Sequence, residues 1–178
     1  MNPALPARVW IVGCPGSGKS SLATRLGERV GVTPTHLDDQ FWLPEWRERE
    51  VEEFRRRVAE VVTRDRWIID GNYRAVRGTF LPQADLVIWL DLDFWLVVSR
   101  VVRRTIRRSR SRESICNGNH ESLLRSIFLR DSIIWWTVTQ HRRYRRSYAG
   151  ELVDRPYVRL RNPAEVERWI ESIEGGVA

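Results

Sequence analysis

The residues Gly13-Cys14-Pro15-Gly16-Ser17-Gly18-Lys19-Ser20 match the pattern G-x-x-x-x-G-K-[ST] at every fixed position. The spacing carries a chemistry. Glycines let the main chain wrap tightly enough for consecutive N–H groups to point inward at a chain of phosphates. A helix starting where the loop ends adds partial positive charge and unpaired donors. In such a loop Lys19 reaches the β- and γ-phosphates of a nucleotide, the Ser20 hydroxyl is a ligand for Mg²⁺, and Ser21 joins the contacts to the nucleotide. Lys19 is the only lysine among 30 basic residues.

Acids stand at the ends of other short apolar runs. Asp38 and Asp39 follow Thr35–Leu37, read as a strand, and ligands of open α/β sheets bind outside the carboxyl ends of strands. One of the two is expected to hold or deprotonate an acceptor hydroxyl, or to help position Mg²⁺; the plainer alternative is a solvated turn or helix cap. His36 reads as a packed strand residue. Phe41, Trp42 and Trp46 around Pro44 either line an apolar acceptor pocket or close the core. Asp70 ends Arg66-Trp67-Ile68-Ile69-Asp70, the place for a second carboxylate that organises Mg²⁺. Asn72 and Arg74, just beyond it, are expected on the acceptor side. Arg100 and Arg104, four apart on a helix, share one of its sides and are candidates for neutralising charge on a transferred group. Arg125 is a further candidate, pointing back to the phosphates.

These residues need a scaffold. Arg8–Val12 is a β-branched and aromatic run that enters the loop, and Ser20–Gly27 has apolar residues at helical spacing. Glu50–Arg64 is amphipathic. Ala84–Asp91 is the strongest strand signal, nearly all apolar, as a buried parallel strand is. Asp91 and Asp93 after it read as strand end and N-cap. Phe94–Arg108 is a helix with an arginine face. Arg107 to Asn119 loses periodicity and is expected to be a loop with hinge residues, suited to a lid over about 107–121. His120 to Tyr148 resumes as helix, with Arg142–Arg146 as a solvated end. Tyr157–Leu160 is a last strand, and Asn162-Pro163 opens a helix. Asn162 is also placed among the nucleotide contacts. Five strands alternating with helices make an α/β chain with a parallel sheet.

With 178 residues the chain is expected to form a single domain, with its acceptor-side segment at about 38–66. Two cysteines, one in the phosphate loop, fit a reducing cytoplasm. The opening residues carry no evident secretory signal, and no apolar run approaches the ~18 residues of a membrane span. The net charge of +7 is unevenly placed: Val97 to Arg161 holds sixteen arginines against five acids, the remainder fourteen basic residues against eighteen acids. That surplus fits a polyphosphate site, nucleic acid, or simply an arginine-rich protein.

Taken together, Ile69-Asp70-Gly71-x-x-Arg74 resembles the Asp-Gly-Phe-Pro-Arg segment of adenylate kinase, and Arg100 and Arg104 resemble the arginine pair before its lid. His36-Leu37-Asp38-Asp39-x-Phe41-Trp42, Trp67–Tyr73 and Ala84-Asp85-x-x-x-Trp89-Leu90-Asp91 are similar to adenylate-kinase-like P-loop proteins often labelled DNA topology modulation proteins. The resemblance implies a three-layer α/β/α sandwich with five parallel strands in the order 2-3-1-4-5, ATP and Mg²⁺ as cofactors, and phosphoryl transfer to a small molecule. The adenylate kinase acceptor helix is not reproduced, and Asn72-Tyr73 replace its Phe-Pro. Asp38-Asp39-x-Phe41 resembles the Asp-x-Phe-Tyr segment of uridine-kinase-like enzymes, where an acid faces a ribose hydroxyl. A hydroxyl benefits from a base and a phosphate does not, so the acidic pair favours a hydroxyl acceptor. The other reading is a nucleotide-dependent DNA-binding protein. A nucleotide switch is disfavoured, because no Asn-Lys-x-Asp base-reading motif is present.

Overall fold

Alternating burial organises the first strand, β1 (Arg8–Gly13): Trp10 and Val12 pack into one apolar cluster, Val9 and Ile11 into another. A strand buried on both faces belongs inside a sheet covered on two sides. The computed structural model describes residues 4–111, 113–120 and 132–173. In it β1 is the central strand of a five-stranded sheet. The others are β2 (Thr35–His36), β3 (Trp67–Asp70), β4 (Leu86–Leu90) and β5 (Tyr157–Leu160). The order is β2-β3-β1-β4-β5, every pair parallel, as expected.

Helices fill both faces. Leu22 and Leu26 of α1 (Lys19–Val30) and Ile170 of α7 (Pro163–Ser172) meet Val9, Ile11, Ile68 and Ile88 on one side. On the other, Phe54 and Val58 of α3 (Val51–Val62), Phe80 of α4 (Arg74–Phe80) and Tyr148 of α6 (Ile133–Glu151) meet Trp10, Trp67 and Trp89. A five-residue helix, α2 (Leu37–Phe41), carries the acidic pair, and α5 (Phe94–Ser111) packs along α6. Local chemistry starts the helices. The Glu50 side chain accepts from the Glu53 N–H at 2.9 Å, the Asp93 carboxylate takes the Trp95 N–H at 2.9 Å, and Ser132 takes that of Trp135 at 3.1 Å. None of the described helices is long and apolar enough to cross a membrane.

Three details differ from the sequence reading. α1 runs past Gly27 to Val30 and stops at Gly31, whose left-handed φ of 70° fits a C-cap glycine. The segment expected as an irregular loop is helix to Ser111 and then a hairpin pairing Ser114–Ile115 with Asn119–His120. Its turn is built on Asn117-Gly118, both at positive φ, which is hairpin chemistry rather than a hinge. A second small hairpin pairs Trp42–Leu43 with Arg47–Glu48. The helix expected from His120 does not begin there, since His120 pairs with Ser114 in the hairpin beyond α5; 121–131 lie outside the described residues, and helix is described from Ile133.

Candidate active site

The Gly13–Ser20 loop joins β1 to α1 and is gripped from the side by α5. At Gly16 the φ is 80°, and a β-carbon there would lie 2.6 Å from both Val101 Cγ2 and the Val97 carbonyl oxygen. Only glycine allows α5 to come so near the turn. Gly18, at the N-cap of α1, has a φ of 93°. The Lys19 ammonium donates to the carbonyls of Gly13 (3.0 Å) and Cys14 (3.3 Å), lying across the mouth of the loop. Burial pushes its pKa down, opposed by the charges of Asp38 and Asp70. Among the described residues the buried Ser17 hydroxyl finds no partner. The Cys14 thiol faces the Thr137 carbonyl at 3.8 Å, and burial pushes it up to about 12.

Pairing β3 beside β1 sets Asp70 next to Ile11, so its carboxylate, 3% exposed, reaches the loop. The Ser20 hydroxyl donates to Asp70 Oδ2 at 2.8 Å. The structure thus brings these two side chains together. The other oxygen, Asp70 Oδ1, is bonded to His36 Nδ1, because β2 pairs with β3 in the register His36 opposite Asp70. That hydrogen bond raises the His36 pKa above 6.5. His36 is thus a partner of the site's carboxylate, where the sequence reading made it packing alone. Two oxygen donors, Ser20 and Asp70, stand together; among the described residues no cluster of three or more His, Cys, Asp or Glu could hold a metal. Magnesium suits the smaller set, since it keeps several waters and uses phosphate oxygens for the rest.

The acidic pair divides. Asp38 Oδ1 accepts from the Tyr73 hydroxyl at 2.7 Å, and its charge is the strongest of those acting on Lys19. Asp39 accepts from the Cys116 thiol in the hairpin beyond α5, the distal hairpin, and Asp38 also lies near that thiol. Asp38 is the acid turned toward the loop. Arg100 lines a small cleft with Ser17, Gly18, Ser21, Leu92 and Pro163, and Arg104, one turn along α5, is near enough to oppose the charge on Lys19. A bidentate pair of Arg25 with Glu167, at 2.7 and 2.6 Å, stands at the cleft's edge.

Other expected contacts are placed differently. Asn72, expected on the acceptor side, is spent on the loop: its amide donates to the Gly13 carbonyl at 2.7 Å, while its oxygen accepts from the Tyr148 hydroxyl at 2.9 Å. Asn162, expected at the nucleotide, caps α7 through the Glu165 N–H at 2.9 Å, and Glu165 reaches back to the Arg161 N–H at 2.6 Å. Trp42 packs edge-on between Phe41 and Trp46, half-buried. Arg74 is exposed at the start of α4 and makes no ion pair with a described residue. Arg125 lies outside the described residues. The sequence reading missed Tyr73, Asn119 and the role of His36; an aromatic hydroxyl three residues past a strand-end acid was the one local signal for Tyr73.

No protein-family profile matches the chain, and no curated protein matches it. Solved structures do. A gluconokinase from Sinorhizobium meliloti 1021 superposes with a TM-score of 0.53 at 16% identity, covering 94% of this chain and 91% of its own. A sugar kinase from Janibacter sp. HTCC2649 gives 0.52 at 16% identity with the same coverage, and deoxyadenosine kinase from M. mycoides with bound dATP gives 0.51 at 16%, covering 92% and 95%. None of the three lends support to a DNA-directed label. The chain shares its α/β fold with these kinases.

Proposed function

We propose that this protein transfers the γ-phosphoryl group of ATP, with Mg²⁺, to a hydroxyl of a small-molecule acceptor. The observation that carries the reading is the contact of Ser20 Oγ with Asp70 Oδ2 at the mouth of a glycine loop spanned by Lys19. The residues suit the ligands: the unpartnered Ser17 hydroxyl is a spare buried donor at the loop, and the paired oxygens of Ser20 and Asp70 are hard ligands for Mg²⁺. When bound, the metal neutralises charge on the phosphate oxygens. Lys19, released from the loop carbonyls, would bind those oxygens, and Arg100 and Arg104 would close on them from α5. Tyr73 holds Asp38 Oδ1, which leaves Oδ2 to take the proton from the acceptor hydroxyl as its oxygen bonds to phosphorus and ADP departs.

The test is ADP formation from Mg-ATP across a panel of nucleosides, sugars, sugar acids and nucleoside monophosphates. Turnover on a hydroxyl acceptor is expected, lost by about a hundredfold or more in Lys19→Ala while the circular dichroism is unchanged. Undiminished turnover in that variant, or turnover only on monophosphates, refutes the assignment.

A further inference from the structure

The hairpin beyond α5 and the segment that bears the acidic pair are bolted together. From the hairpin turn, the Asn117 amide donates to the carbonyls of Asp39 (2.8 Å) and Trp42 (2.6 Å). Asn119, 3% exposed, donates to the Leu43 carbonyl at 2.9 Å and accepts from the Trp46 N–H at 2.7 Å. The Trp46 indole N–H reaches the His120 carbonyl at 3.1 Å. Every described non-glycine residue with positive φ lies on this seam: Glu45 and Trp46 on one side, Cys116 and Asn117 on the other. Such conformations persist where the surroundings hold them.

The arrangement is more than one surface covering another. The Asn117 amide satisfies two carbonyls at the end of α2, those of Asp39 and Trp42, and α2 carries Asp38. Asn119 pins the far side of the same turn through Leu43 and Trp46. The residues that would bring a base to the acceptor are therefore positioned from the opposite, lid-side hairpin.

We infer that Asn117 and Asn119 are positioning residues for the acceptor-side acid Asp38, so that the distal hairpin and the acceptor segment move as a single clamp. This rests on the kinase reading above for what Asp38 does, though the clamp itself does not. The Cys116 thiol is a built-in reporter. It lies half-buried against Asp38 and Asp39, and burial with their charge pushes it up to about 12.

The experiment uses the full chain with Asn117→Ala, Asn119→Ala and the milder Trp46→Phe, which removes the indole bond and trims the ring against Trp42 but keeps the main-chain bond from the Trp46 N–H to Asn119. Iodoacetamide labelling of Cys116, followed by peptide mass spectrometry so that Cys14 is scored separately, is expected to speed up by roughly tenfold in the asparagine variants and less in Trp46→Phe. Unchanged labelling in all three overturns the clamp. The positioning role is read in a double-mutant cycle with Asp38→Asn, as kcat on the best acceptor of the panel. If Asn117 acts through Asp38, Asn117→Ala lowers kcat in the wild-type background and adds almost nothing in Asp38→Asn. Equal losses in both backgrounds overturn the positioning role. No turnover in the wild type overturns the kinase reading and the positioning role with it, and the labelling rates still judge the clamp.

Discussion

Ser20 and Asp70 are fifty positions apart in the chain and 2.8 Å apart in space, and the site depends on that contact. Replacing Asp70 with Asn keeps the shape and removes the charge. Phosphoryl transfer should then fall by about a hundredfold, measured as ADP formation, and the NMR titration midpoint of His36 should drop toward 6.5, since Asp70 is what raises it. The same pair sets a pH dependence. A histidine whose pKa is raised on folding contributes its full stability below the unfolded value of 6.5, and that contribution is lost as pH rises through the folded midpoint. Urea melts of the ligand-free protein should therefore show stability falling above pH 6.5 in the wild type, with the slope flattened in Asp70→Asn. The glycine loop and the placing of Asp70 beside it were legible in the sequence because a fixed motif and a strand-end acid are local signals. His36 was not, because its role follows from a strand of two residues settling into one register beside β3.

The elements that matter are those that present one atom to a neighbour. α5 grips the loop at Gly16, so Gly16→Ala should cost about 2 kcal/mol or more in chemical denaturation, from the positive φ and the collision with Val97 and Val101 together. α7 starts on Asn162, and Asn162→Ala should cost about 1 kcal/mol in the same assay while leaving ATP affinity unchanged, since the side chain is spent on the cap. A loss of ATP affinity there would restore the nucleotide role that the sequence suggested. The apolar runs of β1 and β4 were read correctly as strands because burial on both faces of a sheet leaves that mark. The distal hairpin was read as a hinge, because Asn117-Gly118 is equally at home in a flexible loop and a tight turn; Asp39, Trp42 and Trp46, more than seventy positions away, decide between them.

At the scale of the whole molecule, the sheet order puts the carboxyl ends of β1, β2 and β3 side by side, which gathers Gly13, His36 and Asp70 at one edge. The strand order was readable from the alternation of elements together with the family resemblance. The packing of α2 against two small hairpins was not, because those elements carry little periodicity of their own. The basic surplus of the second half is not all gathered at the cleft: Arg145 and Arg159, for instance, pair with the buried Asp91 at 3.1 and 2.6 Å. The most direct measurement is calorimetric titration of ATP into the wild type and Asp70→Asn, each with and without Mg²⁺. The account predicts that Mg²⁺ tightens binding to the wild type and that this gain is largely lost in the variant. ATP that fails to bind, or binds the two proteins alike with a Mg²⁺ effect that ignores Asp70, would contradict it.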